Sequence, residues 1–139
     1  MSLRPAKFLG LWHIERNIED SLSGNTSYFT GQAEILEQGK DWLYAERGQL
    51  KMQGAPSMTA ERRYIWRANA GGIDVYFEDR RFFHRISLAD AASAAHWCDP
   101  DQYDVRYDFS DWPFWNSVWS VSGPKKNYSM RSSYSAISI

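Results

Sequence analysis

Apolar and polar residues alternate along most of this chain, and turn-forming residues break the alternation at short intervals. In "LYAERGQL", Tyr44, Glu46, Gly48 and Leu50 fall on one face, and Leu43, Ala45, Arg47 and Gln49 on the other. "IDVYFE" sets Ile73, Val75 and Phe77 against Asp74, Tyr76 and Glu78. "QYDVRYDF" sets Tyr103, Val105, Tyr107 and Phe109 against Gln102, Asp104, Arg106 and Asp108. A period of two marks strands with one buried face. Clusters such as "DSLSGNTS", "GK", "QGAPS", "NAGG", "SDWP" and "SGPK" separate the segments. The spacing predicts about ten strands in an antiparallel meander. One helix competes with this reading, at "LADAASAA", where Ser87 and Asp90 stand at capping-box spacing; an irregular loop fits that stretch equally.

One apolar face per strand, without helices to cover a second, implies a sheet that covers itself. Closure also removes the edges that invite aggregation. The expected architecture is all-β, a single antiparallel up-and-down barrel over residues 1–139. A barrel of roughly eight to ten strands is wide enough to hold one small ligand. Composition sharpens the picture: seven Trp, eight Tyr and seven Phe make 16% of the chain aromatic. Such residues suit pleated half-buried surfaces and line concave pockets.

Charge and targeting signals narrow the partners. Sixteen Lys and Arg balance 17 Asp and Glu, a net charge of -1 that offers nucleic acid no general attraction. Arg62, Arg63, Arg80, Arg81 and Arg85 have Glu61, Glu78 and Asp79 beside them, which makes a mixed solvated surface rather than a basic patch. No apolar run approaches the roughly 20 residues of a membrane helix. Gly10, Trp12 and His13 interrupt the only candidate signal segment. One cysteine, Cys98, precludes an internal disulfide. These features together read as cytoplasmic.

Gly10-Leu11-Trp12 on the first strand, with a late Arg in the last, resembles the lipocalin and calycin pattern. There the Trp closes one end of the barrel and the Arg lies over its ring; Arg131 is the corresponding candidate here. In order along the chain, "YAERGQL", "RRYIWR", "VYFEDRRFFH", "AHWCDPDQYDVRYDF" and "VSGPKKNYSMRSSY" resemble an uncharacterised family of lipocalin-like domains of bacteria and fungi. The resemblance implies the barrel and brings no established activity.

Several polar residues share parity with the apolar face. Arg16 goes with Trp12 and Ile14, Glu46 with Tyr44, Arg62 with Tyr64 and Trp66, and His84 with Phe82, Ile86 and Leu88. Charges inside a barrel must be paired or meet a polar ligand or water. They either pair with one another, Glu46 with Arg62 for instance, or line a wet cavity. "AHWCDPDQY" adds His96 and Tyr103, which can each donate or accept hydrogen bonds. The candidate ligand-binding set is therefore Arg16, Tyr44, Glu46, Arg62, Tyr64, His84, His96, Tyr103 and Tyr107. His96 and Cys98 share a face, but zinc would need a third ligand such as His84 and no second pair has ligand spacing. No metal, cofactor or catalytic residue is expected.

The leading functional expectation is a small-molecule binder holding a largely apolar ligand with a polar head inside the barrel. Two alternatives stand beside it. One is a haem-binding barrel resembling nitrobindins, or a small-substrate enzyme using His84, His96 and Tyr103; the nitrobindin pattern places its His on the last strand, where this chain has none. The other is a filled structural or interaction module, because the same aromatics can line a cavity or occupy it.

Overall fold

The computed structural model describes residues 3–88 and 91–138. After a short 3-10 turn (Pro5–Phe8) come ten strands: β1 (Gly10–Asp20), β2 (Thr26–Gln38), β3 (Asp41–Met52), β4 (Met58–Asn69), β5 (Gly72–Tyr76), β6 (Phe82–Ser87), β7 (Ala91–Cys98), β8 (Asp101–Asp108), β9 (Trp115–Ser122) and β10 (Asn127–Ala136). All pair antiparallel in one sheet, ordered β6-β5-β4-β3-β2-β1-β10-β9-β8-β7. The β1–β10 ladder, from Trp12↔Ala136 to Asp20↔Tyr128, joins the two halves. β6 and β7 are the sheet edges, so the barrel is closed everywhere except at this seam. Side chains cross it: the Phe83 and His96 rings lie 5.7 Å apart, and Arg81 points a guanidinium N–H at Cys98 Sγ at 3.9 Å.

The alternation read from sequence becomes the inward and outward faces. Tyr44 and Glu46 on β3, Ile73 and Val75 on β5, and Val105 and Tyr107 on β8 are buried, with more exposed residues between them. The β2–β3 hairpin turns on two residues, Gly39 and Lys40, and Gly39 supplies the positive φ of 66° that such a tight loop requires.

Three expectations change. The alanine-rich stretch is strand rather than helix: Ala91–Cys98 pairs residue by residue with β8, so the ladder overrides alanine's helical preference. Asp90, the other half of the supposed capping box, lies outside the described residues. A bulge between Val75 and Tyr76 breaks the parity of β6: His84 pairs with Val75 and Phe82 with Tyr76, leaving Phe83 as the extra residue. Phe83 is consequently buried and Phe82 exposed, so His84 does not share a face with Phe82. Arg131 is exposed and pairs across from Asn17 and Val118, so it is not the residue over Trp12.

Trp12 does close one end, in other company. Its indole N–H donates to the Phe8 carbonyl at 2.8 Å, and its ring lies 5.4 Å from Trp112 and 5.7 Å from Trp115. Phe8, fully buried, is the centre of this cap: Trp66, Phe109, Trp112 and Trp115 all meet its ring edge-on. Edge-to-face pairs add about 0.5–1.5 kcal/mol each beyond the burial of the rings. The cap makes this end of the barrel solid.

Gly31 on β2 and Gly48 on β3 face each other in register, with Phe29 beside them. A Cβ on either would approach Phe29 Cζ to 2.8 Å and crowd the facing backbone. The glycine pair thus leaves a recess into which the Phe29 ring lies, and Phe29 carries the Arg16 guanidinium at 5.1 Å. Gly48→Ala should lower stability by about 1–3 kcal/mol through overpacking of this recess. A urea-unfolding midpoint equal to that of the natural sequence would show that the strands are not so closely opposed.

Candidate functional site

Below the open end, polar residues from six strands converge inside the aromatic wall. Arg16 from β1 and Glu46 from β3 form a buried, bidentate ion pair: Nη1 donates to Oε1 at 2.7 Å and Nη2 to Oε2 at 3.0 Å. Arg16 Nε donates to Ser132 Oγ of β10 at 2.7 Å. The Tyr44 hydroxyl donates to Glu46 Oε2 at 2.6 Å, which makes Tyr134 the donor in the 2.9 Å contact between the two phenols. Tyr134 in turn stacks on Trp115 at 3.8 Å with the rings nearly parallel. Small inward residues, Gly31, Ala33 and Gly48, lie between Arg16 and Glu46 and leave room for the pair to form across the strands.

The electrostatics follow from burial and pairing. Burial pushes the Glu46 carboxyl up, but the charge and hydrogen bonds of Arg16 and the Tyr44 hydroxyl outweigh it, so the group stays below the usual carboxylate value. Burial likewise opposes the charge on Arg16, and Glu46 reverses the effect, raising it above an ordinary arginine. Burial holds Tyr44, Tyr107 and Tyr134 above the ordinary phenol value, so they act here as neutral hydroxyls.

Across the barrel, His84 Nε2 and the Tyr107 hydroxyl are 2.8 Å apart. The Tyr107 hydroxyl donates to this nitrogen or accepts from it according to the imidazole tautomer. Among the described residues, His84 Nδ1 and Trp115 Nε1 are buried without a hydrogen-bond partner. Burial, with His96 adding to it, lowers the His84 pKa to about 3.

These groups enclose a cavity of about 30 Å³, room for about two water molecules. Seven of the nine residues singled out from sequence line it: Arg16, Tyr44, Glu46, Arg62, Tyr64, His84 and Tyr107. His96 and Tyr103 do not. They face each other on β7 and β8 and pack on Phe83 near the seam. Trp66, Val75, Trp115, Trp119 and Tyr134 complete the lining. Tyr134 had a usable signal, since it lies on the inward parity of β10 with Met130 and Ser132. The expected Glu46–Arg62 pair is present at the long distance of 3.9 Å, while Arg16 takes the close bidentate contact with Glu46. Among the described residues, His96 and Cys98 join no group of three possible metal ligands. A haem has no space in this cavity, and His84 already engages Tyr107 through Nε2.

Above the cavity the barrel opens into a hollow of about 390 Å³, lined by Ile18, Leu50, Met52, Tyr128 and Met130, with Asp20, Ser23, Asn25 and Ser27 at the rim. Arg62 lines both spaces. Its side chain, 36% exposed, is thus the partition between a polar chamber and an apolar mouth.

Residues 8–136 match the model of DUF6314, a family of unknown function. The chain belongs to this family. No curated protein matches it significantly. Among solved structures it resembles the S-type phycobiliprotein lyase CPES from Guillardia theta, with a TM-score of 0.62 and 8% identity over 99% of this chain and 94% of that one. This DUF6314 chain therefore shares the lipocalin-like barrel with that lyase, and at such identity the likeness carries the fold alone. Among the described residues, no helix is long and apolar enough to cross a membrane.

Two solution measurements probe the cluster. Glu46→Gln leaves Arg16 buried without its counter-charge and should cost about 3–5 kcal/mol in a denaturant titration; a loss below about 1 kcal/mol would place the pair in water. His84 titrates near 6.5 when unfolded and near 3 when folded, so the unfolded chain takes up the proton first. Stability is then complete above pH 6.5 and falls below it, by about 2 kcal/mol at pH 5. His84→Gln should remove that share of the pH dependence, while the Glu46 share persists until more acid pH. An unchanged difference between pH 7.5 and pH 5 would show that His84 is solvated.

Proposed function

We propose that this chain is a cytosolic small-molecule-binding protein whose ligand enters the open end of the barrel. Its apolar body occupies the mouth hollow, and its polar group reaches Arg62 and Tyr64 at the top of the inner chamber. The observation that carries this reading is the shared position of Arg62. An apolar hollow of about 390 Å³, within the range of small-ligand sites, opens directly onto a buried polar cluster. The expectation of a ligand wholly inside the barrel is narrowed, because the inner chamber has room for water or a single polar group. The occurrence of the same barrel in a phycobiliprotein lyase is compatible with a small-molecule role and adds nothing about the ligand.

A second reading is favoured by the solid lower half. Phe8, Trp12, Trp66, Phe109 and Trp115 fill the space that a hollow lipocalin-like barrel leaves for its ligand, which fits a filled structural or interaction module. An enzyme built on His84, His96 and Tyr103 has less support: the Phe83 ring packs against all three, and His84 is committed to Tyr107.

Native mass spectrometry of freshly purified protein separates the two. The binding reading predicts a stoichiometric small-molecule adduct that is lost on denaturation. A clean polypeptide mass, together with no change in tryptophan emission across a panel of amphipathic small molecules, would remove it and favour the filled module.

A further inference from the structure

The interior of the barrel is not electrically balanced. Glu46 gives both oxygens to Arg16 and one of them also to Tyr44, so the Arg16–Glu46 pair is internally neutral. Arg62 is left over. Its nearest carboxylate oxygen is Glu46 Oε1 at 3.9 Å; it also feels the like charge of Arg16, and it meets Met130 Sδ at 3.6 Å, the Trp119 ring at 5.9 Å and the Tyr64 hydroxyl. Among the described residues no second carboxylate pairs with it. Asp20, on the rim of the same hollow, accepts from the backbone N–H groups of Leu22 and Ser23 instead. Two guanidiniums and one carboxylate leave the chamber with one excess positive charge, and a guanidinium does not lose its proton to relieve it.

A second imbalance points the same way. The chamber lining contains two buried groups without partners, Trp115 Nε1 and His84 Nδ1, each on a residue at least 98% buried. The first is an indole N–H, which can only donate. The Arg62 guanidinium and the Trp115 N–H both call for an acceptor.

We propose that Arg62 is an anion site, and that its occupant is the carboxylate of an amphipathic small molecule whose apolar body lies between Ile18, Leu50, Met52, Tyr128 and Met130. This rests on the binding reading above and specifies its ligand class. A planar carboxylate matches the forked donors of Arg62. A single negative charge cancels the single excess positive one, extending the row Arg16–Glu46–Arg62 by one alternating member. A phosphate monoester, which approaches two charges, would overshoot, and a neutral alcohol would leave Arg62 uncompensated. The methionines at the hollow, flexible and polarizable, adapt to apolar bodies of different shape.

The test is calorimetric titration of the full chain with decanoate, decan-1-ol and decyl phosphate, repeated on Arg62→Gln and Arg62→Lys. Near-UV circular dichroism verifies that each variant is folded. Decanoate should bind roughly tenfold or more tighter than decan-1-ol. Arg62→Gln should abolish that preference while leaving the alcohol unaffected, and Arg62→Lys should keep part of it. Equal affinities in the natural sequence, or a preference that survives Arg62→Gln, would overturn the anion site and leave the binding reading standing. Tighter binding of decyl phosphate than of decanoate would overturn the single-charge assignment. If no probe binds and the purified protein carries no adduct, both this inference and the binding reading fall.

Discussion

A guanidinium and a carboxylate held out of water inside a β-barrel constrain everything around them. Moving either ion from water to the interior costs several kcal/mol, and that penalty is offset only by close geometry and by partners for every remaining lone pair and proton. Arg16 and Glu46 meet the condition. Each oxygen and nitrogen of the pair has a partner in Ser132, Tyr44, Tyr134 or the opposing ion. The neighbouring strands are shaped to allow it, with the glycines of β2 and β3 opening a recess for Phe29 beneath the Arg16 guanidinium. The barrel is organised from this level outward: aromatic and solid toward Phe8 and Trp12, open and methionine-lined toward Met52 and Met130.

The same constraint makes Arg62 conspicuous. Its position on β4, in register with Glu46, brings a second guanidinium toward a carboxylate that is already satisfied. In a solvated surface cluster such an excess charge has little consequence. At the boundary between a buried chamber and an apolar hollow, burial magnifies the difference between a matched and an unmatched partner, which is why the anion site is proposed there.

The barrel was legible because alternation is strong where aromatic residues face inward and Asp, Glu or Arg face out, as in "QYDVRYDF". The chemistry of the chamber was partly legible for the same reason: parity alone turns Arg16, Glu46, Arg62 and His84 inward. What parity does not reveal is which inward charge meets which, because that depends on how far strands are staggered around the barrel. Cross-strand register places Glu46 beside Arg62, whereas side-chain reach across Ala33 and Gly31 gives it to Arg16. Other failures have equally local causes. A one-residue bulge exchanged Phe82 and Phe83, ladder pairing with β8 made a strand of an alanine run, and the inward parity of Ser132 and Tyr134 on β10 was there to read but went unused among its serines. Phe8, the centre of the lower cap, lies in a 3-10 turn outside any periodic segment.

Among the described residues, the interior lacks a close carboxylate acceptor for Arg62. A high-resolution crystal structure of the protein as purified tests it most directly. It should show an anion, or the acid group of a bound molecule, on the Arg62 guanidinium, with any apolar portion between Met52 and Met130. Arg62 folded inward into direct hydrogen bonds with Glu46, under a mouth closed by its own side chains, would contradict it.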